Sequence, residues 1–364
     1  MLENSPIRKP PREPIGCEDS MLPSTPPSIG AVTESFLALV RKKWLIMLAL
    51  LAAMAAVAIV AVTQGAYDID LDRVLNVFYG AAFGPADVVI WKIRLPRIVS
   101  AIVAGGGLSL SGLAIQSLLK NPLGAPSTLG ISHGAAFGAS AAIVFLDAQI
   151  FLVTAFAFAG AMCSTVVIMA LAGFRRLSPE AIILAGVALT SLFMSGTVLV
   201  QYLASDTQLA MVVFWTFGDV ARANWIEIGT LTAVVTIVTI FLMLQRWDLN
   251  AISAGEETAR GLGVNVARLR SIGMLATALM AALATAFHGV IAFVGLIAPH
   301  IARRLVGADH GMLIPFSIII GALLLLCADT LGRIMIASGA LPVGIITSFM
   351  GAPMFLYLLV RSYR

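Results

Sequence analysis

Residues 98–119 read IVSAIVAGGGLSLSGLAIQSLL and contain no charged side chain. A helix needs about 20 apolar residues to cross a hydrocarbon core about 30 Å thick, and this stretch has that length. Over the whole chain of 364 residues, 59% are hydrophobic and 12% are charged. A soluble domain carries about 25% charged residues, so the composition excludes a single soluble enzyme domain and indicates that lipid surrounds most of the chain.

Ten apolar runs follow one another from Trp44 onward, and each is a candidate membrane span. They cover residues 44–63, 98–119, 129–146, 150–173, 181–203, 228–244, 271–288, 290–306, 312–332 and 343–360. Pro299, His300, Arg303 and Arg304 interrupt the eighth run, and if it failed to cross, the C-terminus would change sides. The predicted fold class is an all-α polytopic membrane protein with about ten transmembrane helices.

The chain before the first span is polar and rich in proline. Such a composition cannot bury enough apolar area to offset its ordering entropy. We therefore expect residues 1–40 to form a disordered tail and residues 41–364 to form the ten-span domain. A cleavable signal peptide is not expected, because the first apolar run begins only at Trp44 and lacks the short core of such peptides.

Lysine and arginine are distributed unequally between alternate loops. The side of the N-terminus holds 17 of the 23, and the other side holds six. Basic residues near span ends are retained in the cytoplasm, so both termini are predicted to be cytoplasmic. This bias also explains the net charge of +4, and no basic run with interleaved aromatic residues indicates nucleic acid.

Sequence patterns for catalysis and metal binding are missing. There is no GxxxxGK[ST] phosphate loop, no HExxH pair and no GxSxG elbow. The histidines are scattered and the three cysteines have no metal-ligand spacing, so we expect no metal site; the histidines are His133, His288, His300 and His310. The sequence therefore does not predict an enzyme that hydrolyses nucleotide or any other substrate itself.

Gly130, Gly134 and Gly138 recur at every fourth position. In lipid, helices associate where small residues allow the backbones to approach closely, so this spacing predicts a packed helix face. Packing within the chain is favoured over a dedicated dimer seam. Farther on, Asp329 lies in an apolar run with Arg333 four residues later. An intramembrane charge can mark function, but a local ion pair near a span end is favoured.

Two segments outside the predicted spans are rich in charge. The first is the loop 245–270, which contains GEETARGLGVNVARLR from Gly255 and predicts one or two short helices that dock on a partner. The alternative is a solvated connector. The second is WKIRLPR, residues 91–97, on the opposite side. Its Arg94 and Arg97 could receive carboxylates from a docking protein, or they could pair with nearby acids, which are Asp68, Asp70, Asp72 and Asp87.

Six stretches in order resemble the FecCD-type permeases of ABC importers for ferric siderophores, haem and cobalamin. The stretches are RLPRIVSAIVAGGGLSLSGLAIQSLLKNPLGAPSTLGISHGAAFG from Arg94, LAGVAL from Leu184, FWTFGDV from Phe214, GEETARGLG from Gly255, FVGLIAPHIARRLVGADHGMLIP from Phe293, and LPVGIITSFMGAPMFLYLL from Leu341. The likeness extends from about Trp44 to the C-terminus. One departure is Ala340, where the family commonly has a glutamate.

The resemblance implies a type II ABC importer permease fold in the bacterial plasma (inner) membrane. It implies a homodimer, two ATPase subunits that bind ATP and Mg on the cytoplasmic face, and one substrate-binding protein on the outer face. This chain would bind no cofactor itself, and would move an iron chelate by alternating access, with haem and cobalamin also open. The rival readings are an ion-coupled secondary transporter and a scaffolding membrane protein.

The resemblance also assigns roles to individual residues. Docking of the binding protein is expected at Arg94, Arg97 and Arg333. Coupling to the ATPase is expected at Gly255, Glu256, Glu257, Ala259, Arg260, Leu262 and Gly263. The gate is expected in two short loops, at Asn121, Pro122, Leu123, Ser178 and Pro179.

Overall fold

The computed structural model describes residues 29–65, 69–79, 84–175, 178–222, 224–335 and 341–362. These residues form helices joined by turns. In chain order the helices are α1 (Ile29–Thr63), α2 (Leu71–Phe78), α3 (Pro85–Val88), α4 (Leu95–Leu118), α5 (Ile131–Phe145), α6 (Ile150–Arg175), α7 (Pro179–Leu203), α8 (Asp206–Thr216), α9 (Trp225–Leu244), α10 (Arg246–Ala254), α11 (Glu256–Gly261), α12 (Val266–His288), α13 (Val294–Val306), α14 (His310–Met335) and α15 (Val343–Ser362).

All ten predicted spans contain a helix. Among the described residues, seven helical segments are long and apolar enough to cross a membrane, judged by length and composition. They are residues 33–63, 85–118, 150–172, 179–203, 225–244, 266–288 and 310–335. Helices α5 and α15 are shorter apolar helices, and α13 corresponds to the eighth run.

The first helix begins earlier than the sequence predicted. Residues 1–28 lie outside the described residues, but 29–40, expected to be disordered, are the first turns of α1. The prolines of the tail end at Pro27, and α1 contains no proline, so every residue of this helix can donate a backbone hydrogen bond. The described residues 29–45 belong to a unit of their own, in which the side chains of α1 are mostly exposed.

The segment WKIRLPR, expected to lie outside the predicted spans, is helical and belongs to a candidate span. Residues 89–94 form a π-helix that continues α3 into α4, so residues 85–118 make one unbroken helical segment. Pro96 lies in the first turn of α4 and lacks the N–H that a regular α-helix needs there. The wider π turn before it allows the helix to continue despite that missing donor.

The eighth run is a partial helix. Helix α13 has 13 residues and is about 20 Å long, less than a hydrocarbon core of about 30 Å requires. Residues 289–293, which precede it, are not helical. Its first turn packs against the middle of α4, where a Cβ added to Gly112 would lie 1.6 Å from the carbonyl oxygen of Gly295.

Helix α4 is the central element of the packed domain. Of its most apolar 18-residue window, 83% is buried, and α9, α12, α13 and α14 all pack against it. Small residues permit these contacts, as at Gly105, where an added Cβ would lie 2.4 Å from the carbonyl oxygen of Gly321 in α14.

The glycine repeat lies between α5 and α6. A Cβ added to Gly134 would lie 2.4 Å from the carbonyl oxygen of Gly160, and one added to Gly138 would lie 2.0 Å from that of Phe156. Gly130 precedes the helix as its N-cap, with a φ of +74° that a glycine adopts without strain. In this chain the repeat thus allows two neighbouring helices to approach closely.

Candidate functional site

At the end of the domain where α4 begins, one carboxylate holds two guanidinium groups. Arg97 Nε donates to both oxygens of Asp329, over 2.8 and 3.1 Å, and its Nη2 lies 2.8 Å from Oδ1. Arg333 Nε lies 3.4 Å from Oδ2 of the same carboxylate. The side chain of Asp329 is fully buried, so solvent screens these charge-assisted contacts weakly.

Two of the arginines also bind the C-terminal end of α1. Arg94 Nη1 donates to the carbonyl oxygens of Val62 and Thr63, the latter at 3.0 Å, and Arg333 Nη1 donates to that of Ala61 at 3.1 Å. The last carbonyls of a helix have no partner within it and carry partial negative charge. The arginines therefore join α1 to α4 and α14.

The turn after α8 reaches the same cluster. Asp219 Oδ1 lies 3.8 Å from Arg97 Nη2, and its backbone N–H donates to the carbonyl oxygen of His288 over 2.7 Å. Arg222 donates to carbonyl oxygens at the end of α8, including that of Trp215 at 3.1 Å. Desolvation lowers the pKa of Arg222, and the Asp219 carboxylate acts in the opposite direction.

The structure thus brings together the three arginines expected to dock a binding protein. Arg94 is 4% exposed, and the side chains of Arg97 and Arg333 are 12% and 11% exposed. The predicted local pair between Asp329 and Arg333 is present, but Arg97 is the closer partner of the carboxylate. Docking itself stays a prediction.

At the opposite end of α4, a polar chain connects three helices. His310, the first residue of α14, has Nδ1 2.6 Å from Asn250 Oδ1 of α10 and Nε2 2.8 Å from Ser117 Oγ of α4. Asn250 also donates through Nδ2 to Asp309 Oδ1 over 2.7 Å. All three contacts join groups that lie far apart in sequence. The sequence marks none of them, because each is a single polar residue within or beside an apolar run.

A second connection reaches the same turn of α4 from the predicted coupling loop. Arg270 in α12 pairs with Glu256 of α11, and its Nε donates to the carbonyl oxygen of Leu118 over 3.1 Å. Arg260 lies 3.4 Å from the other oxygen of Glu256, but its side chain is 67% exposed. The ion pair of Arg270 is therefore the better ordered of the two.

The loop 245–270 contains two short helices, α10 and α11, as its sequence predicted. Its C-terminal limit was wrong, since α12 already begins at Val266 and Arg268 and Arg270 belong to its first turns. The asparagine before α12 accepts a hydrogen bond from the backbone N–H of Arg268, which starts the helix early. Of the predicted coupling residues, Ala259 is buried, whereas Leu262 is 70% exposed.

The residues expected to form the gate lie in turns at helix ends. Asn121 accepts a hydrogen bond from the backbone N–H of Leu123 over 2.8 Å, and Pro122 is exposed between them. Ser178 is the N-cap of α7, and Pro179 is the first residue of that helix. Proline suits this position because its missing N–H would have no partner there.

Seven long apolar helices among the described residues are typical of a multi-pass membrane protein. The model of the FecCD transport family matches residues 41–361. The chain belongs to the FecCD transport family.

Three relatives illustrate the similarity. A protein of Methanocaldococcus jannaschii described as an ABC transporter permease is 48% identical over 92% of this chain and 99% of its own length. The Fe(3+)-citrate import permease of Bacillus subtilis is 37% identical, over 82% of this chain and 90% of its own. The vitamin B12 import permease of Vibrio cholerae is 36% identical, over 76% and 83%.

One solved structure shares the fold over most of its length. It is an inward-facing conformation of an ABC transporter described as metal-chelate type. The TM-score is 0.78 and the sequence identity 30%, and the match covers 87% of this chain and 99% of the other.

Proposed function

We propose that this chain is the membrane-spanning permease subunit of an ABC importer that moves an iron chelate into the cytoplasm. Two copies would form the pathway between them, two ATPase subunits would supply the energy, and one binding protein would deliver the cargo. The chain itself would translocate and not catalyse, and ATP and Mg would bind the ATPase. The observation that carries this proposal is the 48% identity to an ABC transporter permease over 92% of the chain.

The two clusters at the ends of α4 support the assignment of the two partners. The bias of lysine and arginine favours a cytoplasmic position for the α10–α11 end, where an ATPase would bind. The end with Arg94 and Arg97 would then face the outside. With this orientation both termini are cytoplasmic. A switch between outward and inward access needs rigid elements that connect the two sites, and the buried helix α4 extends from one to the other.

The cargo is proposed from the relatives. Relatives named for Fe(3+)-citrate and for vitamin B12 favour a metal-containing chelate, and an iron chelate is the first choice. Haem and cobalamin are the alternatives. The most informative measurement is which of these compounds the cognate binding protein retains, as seen from its absorbance spectrum and its metal content.

Transport in proteoliposomes tests the function directly. The permease with its ATPase and loaded binding protein should accumulate the chelate only when ATP is present inside. The control is the permease alone under a proton or sodium gradient, which should give no uptake. Uptake driven by the gradient without the ATPase would instead favour an ion-coupled secondary transporter and contradict the proposal.

A further inference from the structure

A polar pocket of about 230 Å³ opens beside the turn that ends α4. It lies where α4 meets α10, α13 and α14, next to the contact between Ser117 and His310. Its lining includes two cationic side chains, Lys120 and Arg303, and the hydroxyl of Ser253. No carboxylate is among the described residues that line it.

The two cations of the pocket have no anionic partner in the described part of the chain, where the ion pairs involve Arg97, Arg260, Arg270 and Arg333. The nearest acid in sequence, Asp309, bonds instead to Asn250. Arg303 is half-buried. Lys120 is exposed, so the cost of enclosing a charge applies to Arg303 alone. Two cations that line one pocket without an acid favour an anion that binds beside them.

Lys120 has a backbone conformation that costs energy. Its φ is +48°, in the left-handed region where glycine is the usual residue after a helix. A lysine at this position adds strain to the native state, and a glycine would relieve it. Backbone stability therefore does not explain a lysine at this position, and we attribute the lysine to the charge of its amino group.

The place of the pocket identifies the kind of molecule that fills it. Ser253 on its rim lies in α10, directly before the segment that we assign to the ATPase contact. Helix α4 is surrounded by other helices, so its end emerges among protein segments and not at the lipid-facing perimeter. A protein docked on α10 and α11 would cover the opening.

We propose that this pocket receives an aspartate or glutamate side chain of the ATPase subunit. The carboxylate of that side chain would contact Lys120 and Arg303. The proposal rests on the proposed function, because it requires that an ATPase docks on α10 and α11. It adds a second, charged contact at the end of α4, and so connects the ATPase directly to the central helix.

Carbodiimide cross-linking of the assembled transporter tests the contact, because this reagent joins a lysine amine to a carboxylate that touches it. We expect a cross-linked peptide that contains Lys120 and an acidic residue of the ATPase, identified by mass spectrometry. Lys120→Arg is the matched control: it keeps the charge and the affinity for the ATPase but should lose the cross-link. Cross-links of Lys120 only to its own chain, or none while the ATPase is bound, would overturn the proposal.

Affinity measurements separate the charge from the fold. Lys120→Gly combined with Arg303→Gln should weaken ATPase binding at least about tenfold, because charge-assisted contacts are lost. Lys120→Gly alone should not lower the melting temperature of the permease, since glycine relieves the backbone. Arg304→Gln is the control, because Arg304 is exposed and does not line the pocket. It should bind the ATPase as the wild type does.

The outcomes distinguish a failure of the proposed function from a failure of the proposed contact at the pocket. A wild-type permease that binds no ATPase at all would overturn the proposed function together with this inference. An ATPase that binds the double variant as tightly as the wild type would overturn this inference alone. An anionic phospholipid that the wild type retains and the double variant loses, with unchanged ATPase affinity, would assign the pocket to a lipid headgroup instead.

Discussion

Asp329 carries much of the electrostatic balance at the N-terminal end of α4. Its buried carboxylate contacts Arg97 over 2.8 Å and Arg333 over 3.4 Å, and Arg94 lies in the same cluster against the end of α1. Guanidinium groups remain charged at every physiological pH, so they cannot relieve a lost partner by releasing a proton. The buried carboxylate of Asp329 therefore offsets part of the positive charge of this region.

Replacement of Asp329 by asparagine should destabilise the protein strongly. The change leaves Arg333 without its anion and Arg97 with only the more distant Asp219, and breaking a buried pair in this way costs about 3–5 kcal/mol. A lower melting temperature of the detergent-solubilised permease is the expected result. Asp147→Asn is the matched control, because Asp147 is exposed and has a φ of +57°, a conformation that asparagine tolerates. Equal melting temperatures of the two variants would contradict the role of Asp329.

At the scale of elements, α4 and α13 touch through their backbones. Gly112 faces Gly295 so closely that no side chain fits between the two helices. The contact joins the start of α13 directly to the backbone of α4. Half-helices that begin near the midplane are typical of transport proteins.

Replacement of Gly112 by alanine tests this contact. The new methyl would collide with a backbone carbonyl that cannot turn aside, so we expect destabilisation at or above the usual overpacking cost of about 1–3 kcal/mol. Thermal unfolding in detergent measures it. Gly229→Ala in α9 makes the same chemical change where no atom lies within 4 Å, and the better helix propensity of alanine should leave its stability unchanged or slightly higher.

The two arginines that contact Glu256 should behave differently. Arg270 is mostly buried and also bonds to α4, so Arg270→Ala should lower the free energy of unfolding by about 1–3 kcal/mol. Arg260 is mostly exposed, so Arg260→Ala should change it by less than about 1 kcal/mol.

The ratio of chelate imported to ATP hydrolysed gives a second comparison of the same variants. If the loop couples the ATPase to transport, Arg260→Ala should lower this ratio while the fold remains stable. An unchanged ratio in Arg260→Ala would contradict a role of Arg260 in coupling and would favour the alternative that the loop is a solvated connector.

On the scale of the whole molecule, the proposed transporter has one partner at each end of the bundle. Arg94, Arg97 and Arg333 already have partners within the chain. A carboxylate of the binding protein would therefore have to compete with Asp329 and with the carbonyls of α1. Arg333 Nη2 has no hydrogen-bond partner in the described residues, but it is buried, so a carboxylate of the binding protein would reach it only if the cluster opened.

Arg333→Gln should weaken capture of the binding protein, and more so at low salt, where charges are less screened. Titration of the loaded binding protein against the permease in nanodiscs measures the dissociation constant. Arg73→Gln removes a cation from the same predicted side at an exposed position and should have little effect. A dissociation constant of Arg333→Gln equal to that of the wild type would remove Arg333 from the docking surface.

The sequence alone determined the class of the protein and the apolar runs in which its helices lie. Apolar runs of about 20 residues require membrane helices wherever they fall, because an unpaired backbone cannot lie in lipid, and each run contains a helix in the structure. The motifs around Arg94, Gly255 and Phe293 indicated the family, which the match over residues 41–361 confirms. These properties depend on local composition or on the order of motifs, which a sequence displays directly.

Only the tertiary structure decided which charged and polar groups meet. Arg97 and Asp329 are 232 positions apart, and no local pattern pairs them. Two further features arise because the ends of α4, α10 and α13 lie beside the start of α14. They are the contact of His310 with Asn250 and Ser117, and the pocket lined by Lys120 and Arg303. The physical reason is that such contacts follow from how helices pack. That packing depends on the close approach of small residues distant in the chain, such as Gly112 and Gly295.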